Sequence, residues 1–114
     1  MRETLLYKKL NNKMVQCGIC NHRCVILPQK RGFCNVRENQ NGILYSLIYG
    51  KIIAENIDPI EKKPFYHFMP GTNSLSIATI GCNFRCLHCQ NWQISQAGKK
   101  NKEQTNILGE NLSP

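Results

Sequence analysis

The chain has 114 residues, of which 41% are hydrophobic and 19% charged; this predicts one small globular domain and excludes a disordered chain. It holds no run of about eighteen apolar residues and no secretory signal near its N-terminus, so we expect a cytoplasmic protein with no membrane partner. Its net charge of +8 is concentrated in residues 1–34, around the first cysteines, and basic residues do not alternate with aromatic ones, which argues against a nucleic-acid partner.

The first element is a cysteine-rich segment with the spacing C-x2-C-x3-C-x9-C: Cys17, Cys20, Cys24 and Cys34. Without an export signal, metal binding explains seven cysteines better than a disulfide framework does. Four thiolates suffice to close a tetrahedral zinc site or to hold an iron–sulfur cube. We favour zinc, but the spacing departs from the paired C-x2-C of common zinc knobs, so a second cluster stays open. His22 is either a bystander or a replacement ligand.

A small antiparallel meander is predicted next. FCNVRE alternates roughly between apolar and polar residues, and Asn41-Gly42 then supplies the strongest short hairpin signal. ILYSLIY, residues 43–49, is rich in strand-forming residues. Gly50-Lys51 fits a second two-residue turn, after which IIAENI returns as a third strand.

A connector and a further strand follow the meander. DPIEKKPFYHFMPG, residues 58–71, contains three prolines, which remove backbone donors, so we expect a shaped connector rather than a regular element. LSIATI, residues 75–80, has the composition of a buried strand that leads into a loop at Gly81.

That loop carries the remaining three cysteines with the spacing C-x3-C-x2-C: Cys82, Cys86 and Cys89. A four-iron, four-sulfide cube needs one outer ligand at each iron, and ferredoxin-type sites supply four thiolates. Three thiolates leave one iron open to an exchangeable ligand. His88 is a poor fourth ligand for a zinc site, because residues adjacent in sequence do not easily converge on one small ion.

C-x3-C-x2-C on a loop directly after a strand resembles the signature of the radical S-adenosylmethionine (SAM) superfamily. The resemblance implies that Cys82, Cys86 and Cys89 hold a [4Fe-4S] cluster whose open iron is chelated by SAM. It also implies one-electron reductive cleavage of SAM followed by hydrogen abstraction from a substrate. An electron donor such as a reduced flavodoxin or ferredoxin is then required.

Longer segments of the sequence resemble one particular group of enzymes within this superfamily. CGICNHRCVILPQKRGFCNVREN, YSLIYGKIIAENIDPIEKKPFYHFMPG and IATIGCNFRCLHCQNWQISQ are similar to the N-terminal part of the AmmeMemoRadiSam-system radical SAM enzymes, which resemble pyruvate formate-lyase-activating enzymes. The likeness covers roughly residues 15–96. The substrate stays unknown, because substrate contacts in such enzymes come from later strands.

The expected fold is an α+β fragment in two parts. Residues 1–71 form a Cys-rich metal knob with the β-meander and the connector. Residues 72–114 begin an incomplete radical SAM partial (β/α) barrel, with its first strand and cluster loop. A full barrel needs about 200 residues or more, so we expect a truncated chain that is not catalytically complete alone. The alternative is a basic structural zinc-binding module that recognises nucleic acid or a protein partner.

Overall fold

The computed structural model of the protein describes residues 1–97 and 109–112. Within these residues it consists mainly of short strands in four antiparallel sheets, with one short α-helix, α1 (Trp92–Ser95). The strands are β1 (Arg2–Glu3), β2 (Tyr7–Lys9), β3 (Val15–Cys17), β4 (Val25–Ile26), β5 (Arg37–Gln40), β6 (Ile43–Ser46), β7 (Lys51–Ile52), β8 (Ala54–Pro59), β9 (Asn73–Ala78) and β10 (Glu110–Asn111). Single 3-10 turns cover Asn11–Lys13 and Ile60–Lys62.

The core lies between the sheet β2–β3–β4 and the hairpin β5–β6. Val15 and Cys17 are two residues apart on β3, so their side chains point to the same face, where they pack with Ile26 and Leu44. Val15 and Leu44 have no exposed surface. The core is therefore small, and one of the early cysteines is part of it.

The hairpin predicted around Asn41-Gly42 is present in the structure. Gln40 pairs with Ile43, which leaves Asn41 and Gly42 as a two-residue loop with φ angles of 53° and 88°. Positive φ at both positions is the pattern of a type I′ turn, whose twist matches that of the paired strands.

The predicted third strand of the meander is present at residues 51–52 and 54–59, but its predicted pairing with the second strand is wrong. The free edge of β6 is taken by β1, while β7 pairs with β10 and β8 pairs with β9. Gly50 has a φ of 69° in a turn closed by a hydrogen bond from the Lys51 N–H to the Ile48 carbonyl. This is the pattern of a type II turn, which splays the flanking strands instead of pairing them.

β8 and β9 form a separate two-stranded ribbon, and here the prediction of a buried strand over residues 75–80 is also wrong. Leu75 and Ile77 face the same side of β9 and are 63% and 58% exposed, and Ile57 on β8 is 74% exposed. Of the predicted run, only Ile80, beyond the end of the strand, is buried. A lone two-stranded ribbon cannot bury an apolar face unless another element covers it.

The connector between β8 and β9 is held by carboxylates. Asp58 accepts hydrogen bonds from Lys62 (2.9 Å), Lys63 (3.3 Å) and Ser76 (2.9 Å), and Glu61 accepts one from the Gly71 N–H (2.7 Å). The bonds from Lys62 and Ser76 do most to lower the pKa of Asp58 to about 2. The charged side chains of this segment thus hold the connector in a turn.

The assignment of β9 as the first strand of a barrel stays a prediction. Every strand pairing in the described residues is antiparallel, and the predicted boundary between residues 71 and 72 falls in the loop that joins the paired β8 and β9. Across these same ranges, 1–97 and 109–112, no helix has the length and apolarity needed to cross a membrane.

Candidate functional site

The four early cysteines line one cavity of about 380 Å³. Cys17 enters it from the end of β3, and the Cys17 N–H donates to the Cys24 carbonyl (2.9 Å), which brings these two residues side by side. Cys20 belongs to the turn between them, and Cys34 belongs to the turn that begins at Gly32. A segment of eighteen residues therefore places all four predicted ligands around one space.

The chemistry of this cavity suits a soft metal. None of the seven cysteines of the chain forms a disulfide. Burial raises the pKa of the Cys17 thiol above its usual value, which favours the protonated thiol over the thiolate. Thiolate sulfurs are the ligands that zinc and iron–sulfur clusters take in proteins. In the described part of the chain no three Cys, His, Asp or Glu side chains form a group that could hold a metal ion, so a metal at the early thiols would require these side chains to change conformation.

The basic residues near the early cysteines have partners of their own. Arg31 forms an ion pair with Glu38 (2.8 Å), and Arg23 donates to the Gly18 carbonyl (3.0 Å). Burial opposes ionisation of Glu38, but hydrogen bonds from Arg31 and Gln40 outweigh it and lower the pKa of this carboxyl. The charge of Arg31 is thus compensated by a carboxylate rather than by thiolates.

The three late cysteines occupy different environments on the loop after β9. Cys82 lines the same cavity as the early cysteines, Cys86 is exposed, and Cys89 is half-buried. The Phe84 N–H lies 3.4 Å from the Cys82 sulfur and points to it as a donor. The late motif therefore begins beside the early site and then runs outward to the surface.

Helix α1 folds back on the late loop and supports it. The Gly81 N–H donates to the Ile94 carbonyl (3.0 Å), and the buried Ser95 hydroxyl lies 3.3 Å from the Cys89 sulfur. Gln96 donates from its side-chain amide to the Phe84 carbonyl (3.1 Å) and to the Ser95 hydroxyl (3.2 Å). Sequence reasoning missed Ser95 and Gln96, because a short polar run such as QISQ has no periodicity that distinguishes them.

His22 and Arg85, which lie between candidate ligands in the sequence, have definite contacts in the structure. His22 lies with its Nε2 2.7 Å from the Asn83 carbonyl, to which it donates, so this nitrogen is engaged away from the early thiols. Arg85 lies with its guanidinium carbon 4.1 Å from the centre of the Phe33 ring. Phe84 and Trp92, which lie beside the late cysteines in the sequence, are 63% and 55% exposed.

Comparisons with known proteins give two archaeal relatives. The chain is 57% identical over 96 residues to the uncharacterized protein MJ0808 of Methanocaldococcus jannaschii, an alignment that covers 84% of this chain and 29% of the relative. It is 34% identical over 86 residues to the uncharacterized protein MJ0674 of the same organism, with 75% of this chain and 20% of the relative covered. The chain thus spans less than a third of either relative. No family model and no solved structure matches.

Proposed function

We propose that the chain is the cluster-binding part of a radical SAM iron–sulfur protein. Cys82, Cys86 and Cys89 would hold a [4Fe-4S] cluster, and the early four cysteines would hold a structural metal, zinc or a second cluster. The observation that carries this proposal is the late loop itself. It has three cysteine thiols within eight residues, none of them in a disulfide, on the loop that follows a strand, and no carboxylate among them to serve as a fourth ligand.

The surrounding residues support this use of the loop. Ser95 is positioned to donate to the Cys89 thiolate, and the Phe84 N–H to the Cys82 thiolate. Hydrogen bonds to the ligating sulfurs raise the reduction potential of an iron–sulfur cluster and orient its ligands. His88 is exposed and adjoins Cys89, so it is a poor candidate for a fourth ligand.

When bound, such a cluster would supply the electron for reductive cleavage of SAM, received in turn from a donor such as flavodoxin or ferredoxin. The chain's own residues would supply three ligands, hydrogen bonds to sulfur and a support for the loop. The substrate contacts and the remaining walls of the site would be supplied from outside this chain, which spans less than a third of either relative.

The test is anaerobic reconstitution of the full 114-residue chain with iron and sulfide. We expect a brown, oxygen-sensitive protein, and we expect Cys86→Ala to lose about four iron atoms per chain while keeping the metal of the early site. His88→Ala, an exposed change in the same loop, is the matched control and should keep the late cluster. Loss of iron from both sites in Cys86→Ala would mean that the seven cysteines form one site. A colourless protein containing only zinc would contradict the proposal.

A further inference from the structure

The two cysteine regions are joined by contacts between residues that immediately neighbour the candidate ligands. The His22 ring donates to the Asn83 carbonyl at 2.7 Å. The same ring stacks on Phe33, with ring centres 4.4 Å apart and an interplanar angle of 26°. Arg85 in turn lies over the Phe33 ring at 4.1 Å. His22, Phe33 and Arg85 therefore form a stack, which we call the ring stack, that ties residues 83–85 to the early segment.

Beside the ring stack, the backbone of the late loop also lies close to the early segment. Gly81 has a φ of 92°, and a Cβ built there would lie 2.6 Å from a Val36 methyl and 3.0 Å from the Cys34 carbonyl oxygen. Only a glycine lets the late loop approach the early segment at this point. The docking of the loop thus combines backbone contact with side-chain contact.

The residues of the ring stack are sequence neighbours of the candidate metal ligands. His22 lies between Cys20 and Cys24, and Phe33 directly precedes Cys34. A metal held by the early thiols would fix the backbone on both sides of His22 and next to Phe33, because its ligand bonds restrain those residues. Asn83 and Arg85 lie between Cys82 and Cys86, so whatever fixes the ring stack also fixes the late loop.

We propose that metal binding at the four early cysteines positions the late cysteine loop, and that His22 and Phe33 are the positioning residues that carry this effect. The inference rests on the proposed function, since it requires a metal at the early site. The early metal would then do more than stabilise its own segment. It would hold the late thiols in position to bind their cluster. Because coupling between two sites is reciprocal, a cluster on the late loop also tightens the early metal.

The experiment measures amide hydrogen exchange of residues 82–90 by mass spectrometry, with and without one equivalent of Zn²⁺. The full chain carries Cys82→Ser, Cys86→Ser and Cys89→Ser, so that only the early thiols bind the metal, and metal analysis gives the zinc content. We expect Zn²⁺ to slow exchange in the loop by at least about threefold.

In the same background, Phe33→Leu removes the ring but keeps an apolar side chain, and it should abolish the effect of Zn²⁺ on the loop while zinc content stays at one per chain. Phe33→Tyr keeps the ring and should restore the effect. His22→Phe keeps the stack without the bond to the Asn83 carbonyl and should give a partial effect. Tyr66→Leu, an exposed aromatic residue of the connector, is the control and should change nothing.

Three further outcomes would contradict the inference, each at a different step. If zinc binds and slows exchange in the loop of Phe33→Leu as much as in the chain that keeps Phe33, the ring stack does not carry the coupling. If zinc binds and the loop does not respond, the two sites are independent, and the proposed late cluster is unaffected. If no zinc binds, the early thiols do not form a zinc site, and the inference falls while a cluster on the late loop stays testable by iron reconstitution.

Discussion

The buried side chain of Asn39 joins three segments of the knob: its own hairpin, the turn at Lys13 and the end of β4. Its Nδ2 donates to the carbonyls of Lys13 and Ile26, both at 2.8 Å, and its Oδ1 accepts from the Gly42 N–H at 2.8 Å. The residue has no exposed surface. A buried amide whose hydrogen-bonding groups are all used stabilises one arrangement of its neighbours, because any other arrangement leaves polar groups unpaired.

Asn39→Ala should therefore lower the free energy of unfolding by about 2–4 kcal/mol, since three partners lose their hydrogen bonds at once. Denaturant unfolding of the wild type and the variant measures the difference. Asn56→Ala, the same change at an exposed position on β8, is the control and should cost less than about 0.5 kcal/mol. Equal unfolding midpoints for the two variants would contradict the role given to Asn39.

At the scale of elements, the junction between β9 and the late loop depends on Gly81. Gly81→Ala should destabilise the protein by about 2 kcal/mol or more, because it adds a steric clash with Val36 to the cost of a positive φ. Gly71→Ala is a matched control with a φ of 81° and nothing within 4 Å of the added methyl, so it reports the backbone cost alone. Thermal unfolding of both variants checks this. The prediction fails if they lose the same stability.

The β8–β9 ribbon should depend on pH through Asp58. Its folded pKa of about 2 is lower than the usual value of about 3.9, so ionised Asp58 stabilises the ribbon above about pH 4. That stabilisation is lost as the pH falls through about 2. Unfolding of wild type and Asp58→Asn as a function of pH should give a difference that is constant above pH 4 and shrinks toward pH 2. A difference that persists unchanged at pH 2 would contradict the assignment, and Glu55→Gln on the same strand is the control.

Local sequence signals predicted some elements well and others poorly, for physical reasons. The Asn41-Gly42 turn was predictable because its conformation depends on these two residues alone. The partner of the third strand was not, because β1 competes for the edge of β6 from forty residues away in the chain. Asn39 reads as a turn residue, and its burial depends on carbonyls 26 and 13 residues distant.

At the scale of the whole molecule, the cysteine spacings predicted both candidate sites, and the structure adds their proximity. The spacing of cysteines along the sequence shows which ligands lie near each other within one segment. It carries no information on the distance between two segments. The cavity shared by Cys82 and the early cysteines, and the ring stack beside it, depend on tertiary packing. The support of Cys89 by Ser95 is equally a product of packing.

We propose that the late thiols hold a cluster with one iron open to SAM. The electron paramagnetic resonance spectrum of the reduced, reconstituted chain, recorded before and after addition of SAM, tests this proposal. We expect a [4Fe-4S] signal that shifts on adding SAM in the wild type, and we expect this SAM-responsive signal to be lost in Cys86→Ala. A cluster signal that SAM leaves unchanged, or a colourless zinc protein that binds RNA with a steep salt dependence, would contradict the account.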